Sequence, residues 1–330
     1  MAKKIRWGIV GTGWIAHLFV QGLSVLKDTE IAAVSSRTKE SAEKFAAEFG
    51  VPNRHIGSVA LAGDKDVDVV YIATPHPMHK DDTINCLAGG KAVLCEKPFA
   101  MNSAEAMQMI MCARKKNLFL MEAMWMYFFP AVAKIRQLAA DGAIGEVRLV
   151  QANFCIRSEW NPKSRLLNPQ LGGGALLDVG VYEIAFAQMI YGKEPGRISS
   201  MAHIGKTGVD EQGSMIFGYE GGAMAVLTCA VQTETLFEAA IYGTDGYIKI
   251  PHMFFQPDRI IVKAGQEQEK EIKFKRLGNG YSYEAAEVMR CLRDGEVECP
   301  IMPLDTSIAI MKTMDQVRQQ WGLVYPMETV

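Results

Sequence analysis

The stretch Arg6-Trp7-Gly8-Ile9-Val10-Gly11-Thr12-Gly13-Trp14-Ile15-Ala16 decides the fold. A short apolar strand runs straight into G-x-G-x-x-A. A helix is expected to follow over residues 14–27, with Ile15, Leu18, Phe19, Leu23 and Leu26 on one stripe. The chain has 30 glycines, so the motif alone is weak; placed between strand and helix it becomes specific. Gly11 permits the tight turn, Gly13 lets backbone amides approach a pyrophosphate, and Ala16 lets the helix lie close to the strand. The positive end of the helix dipole then faces the phosphates. Gly11, Thr12, Gly13, Trp14 and Ile15 are therefore expected to hold a dinucleotide.

Working outward, the same grammar repeats. Strands are expected at residues 31–35, 67–74, 91–96 and 118–124, alternating with helices at 38–49, 79–88 and 103–116. That alternation predicts a doubly wound parallel sheet of the α/β class. After Pro130 the pattern changes. Beyond a helix at 131–141, strand-like segments dominate at 147–156, 213–219, 223–231, 237–242, 247–250 and 259–263, with Glu220-Gly221-Gly222 as a hairpin link. Helices are expected at 174–190, 283–293 and 304–320. The reading is an N-terminal Rossmann domain over residues 1–124. A C-terminal α+β domain follows over 125–330, with a large, mostly antiparallel open sheet that binds substrate and mediates oligomerisation.

Composition limits the function classes. Of 330 residues, 49% are hydrophobic and 22% charged, which excludes a disordered or fibrous chain. A net charge of -2 supplies no surplus of positive charge for nucleic acid or an anionic membrane. No unbroken run of 18 apolar residues is present. The basic, apolar opening could pass for a signal peptide, but Gly8, Gly11 and Gly13 interrupt it and no cleavage site follows. Seven cysteines without a C-x-x-C pair read as small buried hydrophobes in a reducing cytosol, with neither a disulfide framework nor a metal site. The expected location is cytoplasmic.

The end of the second strand selects the cofactor. NAD sites place an acid there to bind the ribose 2′-OH. This chain has Ser35-Ser36-Arg37-Thr38 instead. Ser36 and Thr38 can donate to a 2′-phosphate, and Arg37 can pair with it or stack on adenine. The alternative is that Arg37 is a solvated loop charge. The expected cofactor is NADP, with NAD possible. At the end of another strand, Cys95-Glu96-Lys97-Pro98 places a lysine among apolar neighbours at the edge where doubly wound sheets bind ligands. Lys97 there can bond to a substrate oxygen and favour its charged form.

Gly11-x-Gly13, Thr74-Pro75, Glu96-Lys97-Pro98 and Gly172-Gly173-Gly174-Ala175-Leu176-Leu177-Asp178-Val179-Gly180 together resemble the glucose–fructose oxidoreductase, inositol dehydrogenase and MocA family over essentially the whole chain. Met121-Glu122-Ala123-Met124-Trp125, Phe128-Phe129-Pro130 and Asp178-Val179-Gly180-Val181-Tyr182 resemble its dimeric dihydrodiol dehydrogenase branch, which includes NADP-dependent D-xylose 1-dehydrogenases. Much of the family has an acid/base histidine where Tyr182 stands, and a second acid where Ala185 stands; the tyrosine matches the dihydrodiol branch. The resemblance implies that Tyr182 is the acid/base, that Lys97 lowers its pKa from about 10, and that Asp178 orients the pair. Asp178 and Tyr182 are four apart on a predicted helix, hence on one face. A tyrosine packed in a core is the alternative reading of the residues alone.

The remaining candidates are weaker. Thr74, Pro75, His76, His79, Glu96 and Arg165 are expected at the cofactor, although His76 can be plain loop structure and Arg165 a solvated charge. Trp125, Phe154 and Tyr281 are expected to form an apolar wall for a sugar face or flat ring. The function expected is hydride transfer between nicotinamide and a hydroxyl-bearing carbon of a sugar, polyol or cyclic diol. The alternative is a dinucleotide-binding regulator without turnover. Strand segments poor in charge, such as Met215-Ile216-Phe217, predict an open sheet face and a homodimer formed through it.

Overall fold

The computed structural model describes residues Lys4–Glu328. Two compact units emerge. The first runs to Trp125 and resumes over Arg276–Ile308; the second comprises Met126–Lys275 and the chain from Ala309 onward. The single cut expected after residue 124 therefore misses a return. Residues 276–308 lie outside the second unit because their helix packs on the first helix of the first unit.

In the first unit the elements are β1 (Ile5–Val10), α1 (Trp14–Leu23), β2 (Thr29–Ser36), α2 (Lys39–Phe49), β3 (Asn53–Ile56), α3 (Gly57–Ala62), β4 (Val69–Ile72), α4 (His79–Ala88), β5 (Ala92–Glu96), α5 (Ser103–Lys116) and β6 (Leu120–Ala123). The strands form a six-stranded sheet in the order β3-β2-β1-β4-β5-β6, parallel throughout. β4 and β5 are buried at every position, as expected for strands covered on both faces. β3 and α3 had no clear sequence signal. β3 is a short edge strand of half-buried and exposed residues, and α3 is a single short helix. α1 stops at Leu23, earlier than its apolar stripe implied, with Ser24 as C-cap.

The second unit contains α6 (Pro130–Ala140), β7 (Val147–Cys155), a π-helical turn at Leu176–Gly180, α7 (Val181–Tyr191), β8 (Arg197–Ile204), β9 (Asp210–Gly218), β10 (Met224–Ala230), β11 (Ala239–Gly243), β12 (Gly246–Ile250), β13 (Arg259–Ala264) and β14 (Lys270–Lys273). Its eight-stranded sheet has the order β14-β13-β12-β11-β7-β10-β9-β8. Every pairing is antiparallel except β10 with β7. Edge strands β8 and β14 carry no sequence signal because neither has a buried face to pattern it. In β9 and β10, Met215, Phe217, Ala225 and Leu227 are buried, and α7 packs on β7 and β10. On the opposite face Met201, Ile216 and Met224 are exposed. The chain closes with α8 (Tyr281–Asp294), on the first unit, and α9 (Leu304–Trp321). The stretch Pro169–Tyr191 is long and apolar enough to cross a membrane, but 83% of its most apolar 18-residue window is buried inside the protein.

Glu122 on β6 is wholly buried, and neither of its oxygens makes a well-formed hydrogen bond. Burial pushes its pKa up from 4.5 to about 7, offset only in part by the nearby Ser307 hydroxyl and Phe99 amide. A carboxyl raised in the folded state holds its proton better there than in the unfolded chain. Its contribution is thus fully present below pH 4.5 and lost as pH rises through about 7. Glu122→Gln removes this titration. Its unfolding free energy should improve relative to the parent by about 2 kcal/mol between pH 5 and pH 8. Urea denaturation of both proteins at the two pH values checks this, and a difference that does not change with pH contradicts it.

Candidate active site

β1 delivers the chain to Gly11 at the carboxyl edge, between β2 and β4. Gly11 N–H donates to Ser35 O at 3.0 Å, and Ala73 N–H donates to Val10 O at 2.8 Å. Gly11 has φ +103, and a Cβ there would lie 2.6 Å from Ala73 O, so only glycine fits this turn. Gly13 is the N-cap of α1 and offers no side-chain cap to the first-turn amides. A Cβ on Gly13 would meet nothing within 4 Å, leaving the space above the amides open. An uncapped helix N-terminus beneath an open glycine fits a pyrophosphate.

Around it, Thr12 Oγ1 and Ser36 Oγ lie 3.3 Å apart. Trp14 is 70% exposed, Ile15 is half-buried and Arg37 is exposed. Thr38 is the N-cap of α2. Its hydroxyl accepts from Ser41 N–H at 3.3 Å and donates to Ser41 Oγ at 2.9 Å. No acid stands at the end of β2.

The next sheet edge carries the other motifs. Thr74 Oγ1 donates to Asp82 at 2.9 Å. His79 is buried, with Nδ1 2.8 Å from Pro98 O and Nε2 2.9 Å from Thr74 O. It ties the loop after β4 to the loop after β5. Burial lowers its pKa, against the pull of the two carbonyls and of Asp82. His76 lies beside it, with ring centroids 5.7 Å apart, and Pro75 precedes the short turn that starts with His76. Glu96 is buried; it accepts from the Tyr71 hydroxyl and, through Oε2, from Lys97 N–H at 3.1 Å. It thus shapes the backbone at Lys97, whose bond to Pro98 is cis. Lys97 itself is half-buried at the strand's end. Trp125 and Tyr281 stack with centroids 4.5 Å apart and are 8% and 7% exposed. Tyr281, expected in a loop, is the first residue of α8.

In the second unit, Asp178 sits in the π turn and Tyr182 in the first turn of α7. π turns recur at functional sites because the extra residue re-aims side chains. Asp178 is buried and pairs with Arg165 Nη1 at 2.5 Å. The arginine expected at a cofactor phosphate is thus the partner of the expected orienting acid. Tyr182 is 7% exposed and lies against Phe154 and Phe255, each at 5.5 Å between centroids. Phe154 and Phe255 stack at 4.2 Å, nearly parallel.

Several residues at this site had no sequence signal. Phe237 joins the wall, edge-on to Phe154 at 5.3 Å, with φ +57, a conformation that a bulky residue adopts only when its surroundings impose it. Glu183, wholly buried and pushed well up in pKa by burial, accepts from Phe154 N–H at 3.0 Å and so fixes Phe154 relative to α7. Asp210 on β9 is buried and pushed up to about 7 by burial; it accepts from Leu176 N–H at 2.6 Å and holds the start of the π turn. The adjacent Phe254-Phe255 pair lies in a turn midway between β12 and β13, where no periodicity orients it.

Comparison with known proteins matches this architecture. Residues 5–124 fit the oxidoreductase family with an NAD-binding Rossmann fold named GFO_IDH_MocA, and residues 132–249 fit the GFO/IDH/MocA C-terminal domain. The chain is 40% identical over 331 residues to the trans-1,2-dihydrobenzene-1,2-diol dehydrogenase of Xenopus tropicalis, covering 97% of this chain and 99% of that one. It is 36% identical to the Homo sapiens protein of the same name, covering 98% and 99%. A 3-ketoreductase from Actinomadura kijaniata, solved with NADP and TDP-benzene, superposes with a TM-score of 0.85 at 25% identity, covering 96% of this chain and 98% of that one. An aldose-aldose oxidoreductase from Caulobacter crescentus shares the fold at a TM-score of 0.88 and 24% identity, covering 97% and 98%. With both domains matched and full-length relatives this similar, the chain belongs to the Gfo/Idh/MocA family of NAD(P)-dependent oxidoreductases.

Proposed function

We propose that the chain is an NADP-preferring dehydrogenase of cyclic trans-diols or sugars, with Tyr182 as the acid/base. The observation that carries this reading is the aromatic wall of Phe154, Phe237 and Phe255 beside Tyr182, in a chain related end to end to dihydrodiol dehydrogenases. A flat or weakly puckered ring stacks on such a wall and presents a hydroxyl to the phenol. A bound nicotinamide dinucleotide supplies the hydride acceptor or donor. Tyr182 takes the hydroxyl proton in oxidation and returns it in reduction. Asp178, clamped by Arg165, fixes the turn from which Tyr182 projects, and Lys97 contributes a cation at the end of β5. Gly11, Thr12, Gly13, Trp14 and Ile15 hold the pyrophosphate side of the cofactor. Ser36 and Arg37 hold its 2′-phosphate, with Thr38 capping α2 beside it. Turnover measured with NADP across a panel of cyclic trans-diols and aldoses tests the proposal. Tight cofactor binding with no turnover on any member would overturn it.

The open face of the eight-stranded sheet is the proposed contact with a second copy. Met201 is 80% exposed there, Ile216 45% and Met224 42%. Adjacent exposed apolar side chains favour a self-complementary two-fold contact. Light scattering at micromolar concentration should give twice the mass of one chain, and Met201→Glu should shift it toward a single chain. A single-chain mass for the unaltered protein contradicts the contact.

A further inference from the structure

Two of the seven cysteines meet where α8 ends. Cys291 lies in the last turn of α8 and Cys299 in the segment that follows; both are fully buried. Their sulfurs and Glu287 Oε1 all lie within 4.8 Å of one another. Cys291 Sγ is 3.8 Å and Cys299 Sγ 3.9 Å from that oxygen. Arg290 lies across the group, with Nη2 3.2 Å from Cys291 Sγ and 2.8 Å from Glu287 Oε1. Glu296 accepts from the same guanidinium at 2.8 Å.

These are not the surroundings of cysteines serving as small hydrophobes. Burial pushes the thiols of Cys86, Cys95, Cys155 and Cys229 up in pKa. Cys299 moves the other way. The neighbouring Cys291 sulfur lowers it, outweighing burial, and the Met302 and Ile301 amides add to the effect, while Cys291 itself is pushed up by Cys299. Of the two adjacent sulfurs, Cys291 thus keeps its proton more tightly than Cys299, and the Arg290 guanidinium 3.2 Å from Cys291 Sγ favours a thiolate there once that proton has left. The same three side chains have the ligand types of a metal site. Glu287 Oε1, however, already accepts from two Arg290 nitrogens, at 3.0 and 2.8 Å, so a cation already occupies the position that a metal ion would need.

We propose that Cys291 and Cys299 form a thiol–disulfide couple oxidised by hydroperoxides. The Cys299 thiolate attacks one peroxide oxygen, and the O–O bond breaks. Cys299 becomes a sulfenic acid, and the departing hydroxide takes the Cys291 proton to leave as water. The Cys291 thiolate, facing Arg290, then attacks the Cys299 sulfur. The S–O bond breaks, the S–S bond forms, and hydroxide leaves with a solvent proton as a second water. The pair loses two electrons, and the peroxide is reduced to two waters. Oxidation joins the end of α8 to a segment whose Val297 carbonyl accepts from Leu120 N–H at 3.2 Å beside β6.

Hydrogen peroxide treatment of the folded protein, followed by alkylation, thiol titration and peptide mass mapping, tests the proposal. Two of the seven thiols should disappear, with one Cys291–Cys299 cross-link that dithiothreitol reverses. Cys299→Ser should slow thiol loss at least about tenfold. Cys291→Ser should leave a sulfenic acid on Cys299 that dimedone captures. Full retention of all seven thiols at peroxide levels that oxidise a free thiol overturns the proposal, as does cross-linking through any other cysteine or unchanged kinetics in Cys299→Ser. Circular dichroism before treatment establishes that each variant is folded, and the map of the unaltered protein decides if one is not.

Discussion

Tyr182→Phe is expected to lower kcat by at least about 100-fold, the scale of a lost general acid/base. Phenylalanine keeps the ring, and with it the contacts to Phe154 and Phe255, so packing and the wall should survive. Only the hydroxyl proposed to exchange the proton is removed. The expected pattern is a fall in kcat with cofactor affinity unchanged, because the proposed dinucleotide contacts lie on other residues. Steady-state kinetics with a cyclic trans-diol, alongside cofactor titration by protein fluorescence, distinguishes the outcomes. A variant within tenfold of the parent rate removes Tyr182 from the chemistry. A variant that also loses cofactor binding points to a structural role instead. Arg165→Ala gives a graded comparison. It leaves the buried Asp178 carboxylate without its 2.5 Å guanidinium partner and should lower turnover less than loss of the phenol does.

The parts of this molecule legible in the sequence are those where local chemistry dictates structure. Gly11 must be glycine because its φ is positive and its neighbour is Ala73 O, and a strand-glycine-helix pattern encodes that constraint within a dozen residues. β4 and β5 read as continuous apolar runs because both faces are covered. The features that escaped depend on distant segments. Residues 276–308 return to the first unit, and Tyr281 meets Trp125 across a long stretch of sequence. The Arg165–Asp178 pair joins a loop to a π turn, and neither residue type announces the other. Phe237, expected to open the strand at 237–242, lies just before β11, which starts at Ala239, and it reaches Phe154 together with Phe255 from the loop after β12. Glu183 looks like a solvent-facing helix residue in a one-dimensional reading. Its burial follows from α7 packing on β7, where the Phe154 amide needs an acceptor. The same holds for the cysteines. Seven scattered residues read as filler, and the pairing of Cys291 with Cys299 exists only because the chain turns back at the end of α8.

Arg37→Asp is expected to reverse the cofactor order, moving the ratio of NADP to NAD affinity by about 100-fold toward NAD. The argument starts from what the end of β2 lacks. With Ser36 half-buried and Arg37 exposed there, no carboxylate opposes a 2′-phosphate. A charge-assisted bond from arginine to phosphate contributes roughly 1.5–3 kcal/mol, and its loss alone weakens NADP about tenfold or more. The new aspartate adds repulsion toward the phosphate and an acceptor for a bare ribose hydroxyl, so the two effects combine in one substitution. Thr38 should contribute less than its position implies. Its hydroxyl already caps α2 by accepting from Ser41 N–H and donating to Ser41 Oγ, and the cap would be disturbed by turning it toward a ligand. Thr38→Ala should therefore cost helix stability more than cofactor selectivity. Calorimetric titration of each variant with both dinucleotides separates these outcomes. A parent protein that binds NAD more tightly than NADP, or an Arg37→Asp variant whose preference is unmoved, assigns Arg37 to solvent and leaves the choice of cofactor to other residues.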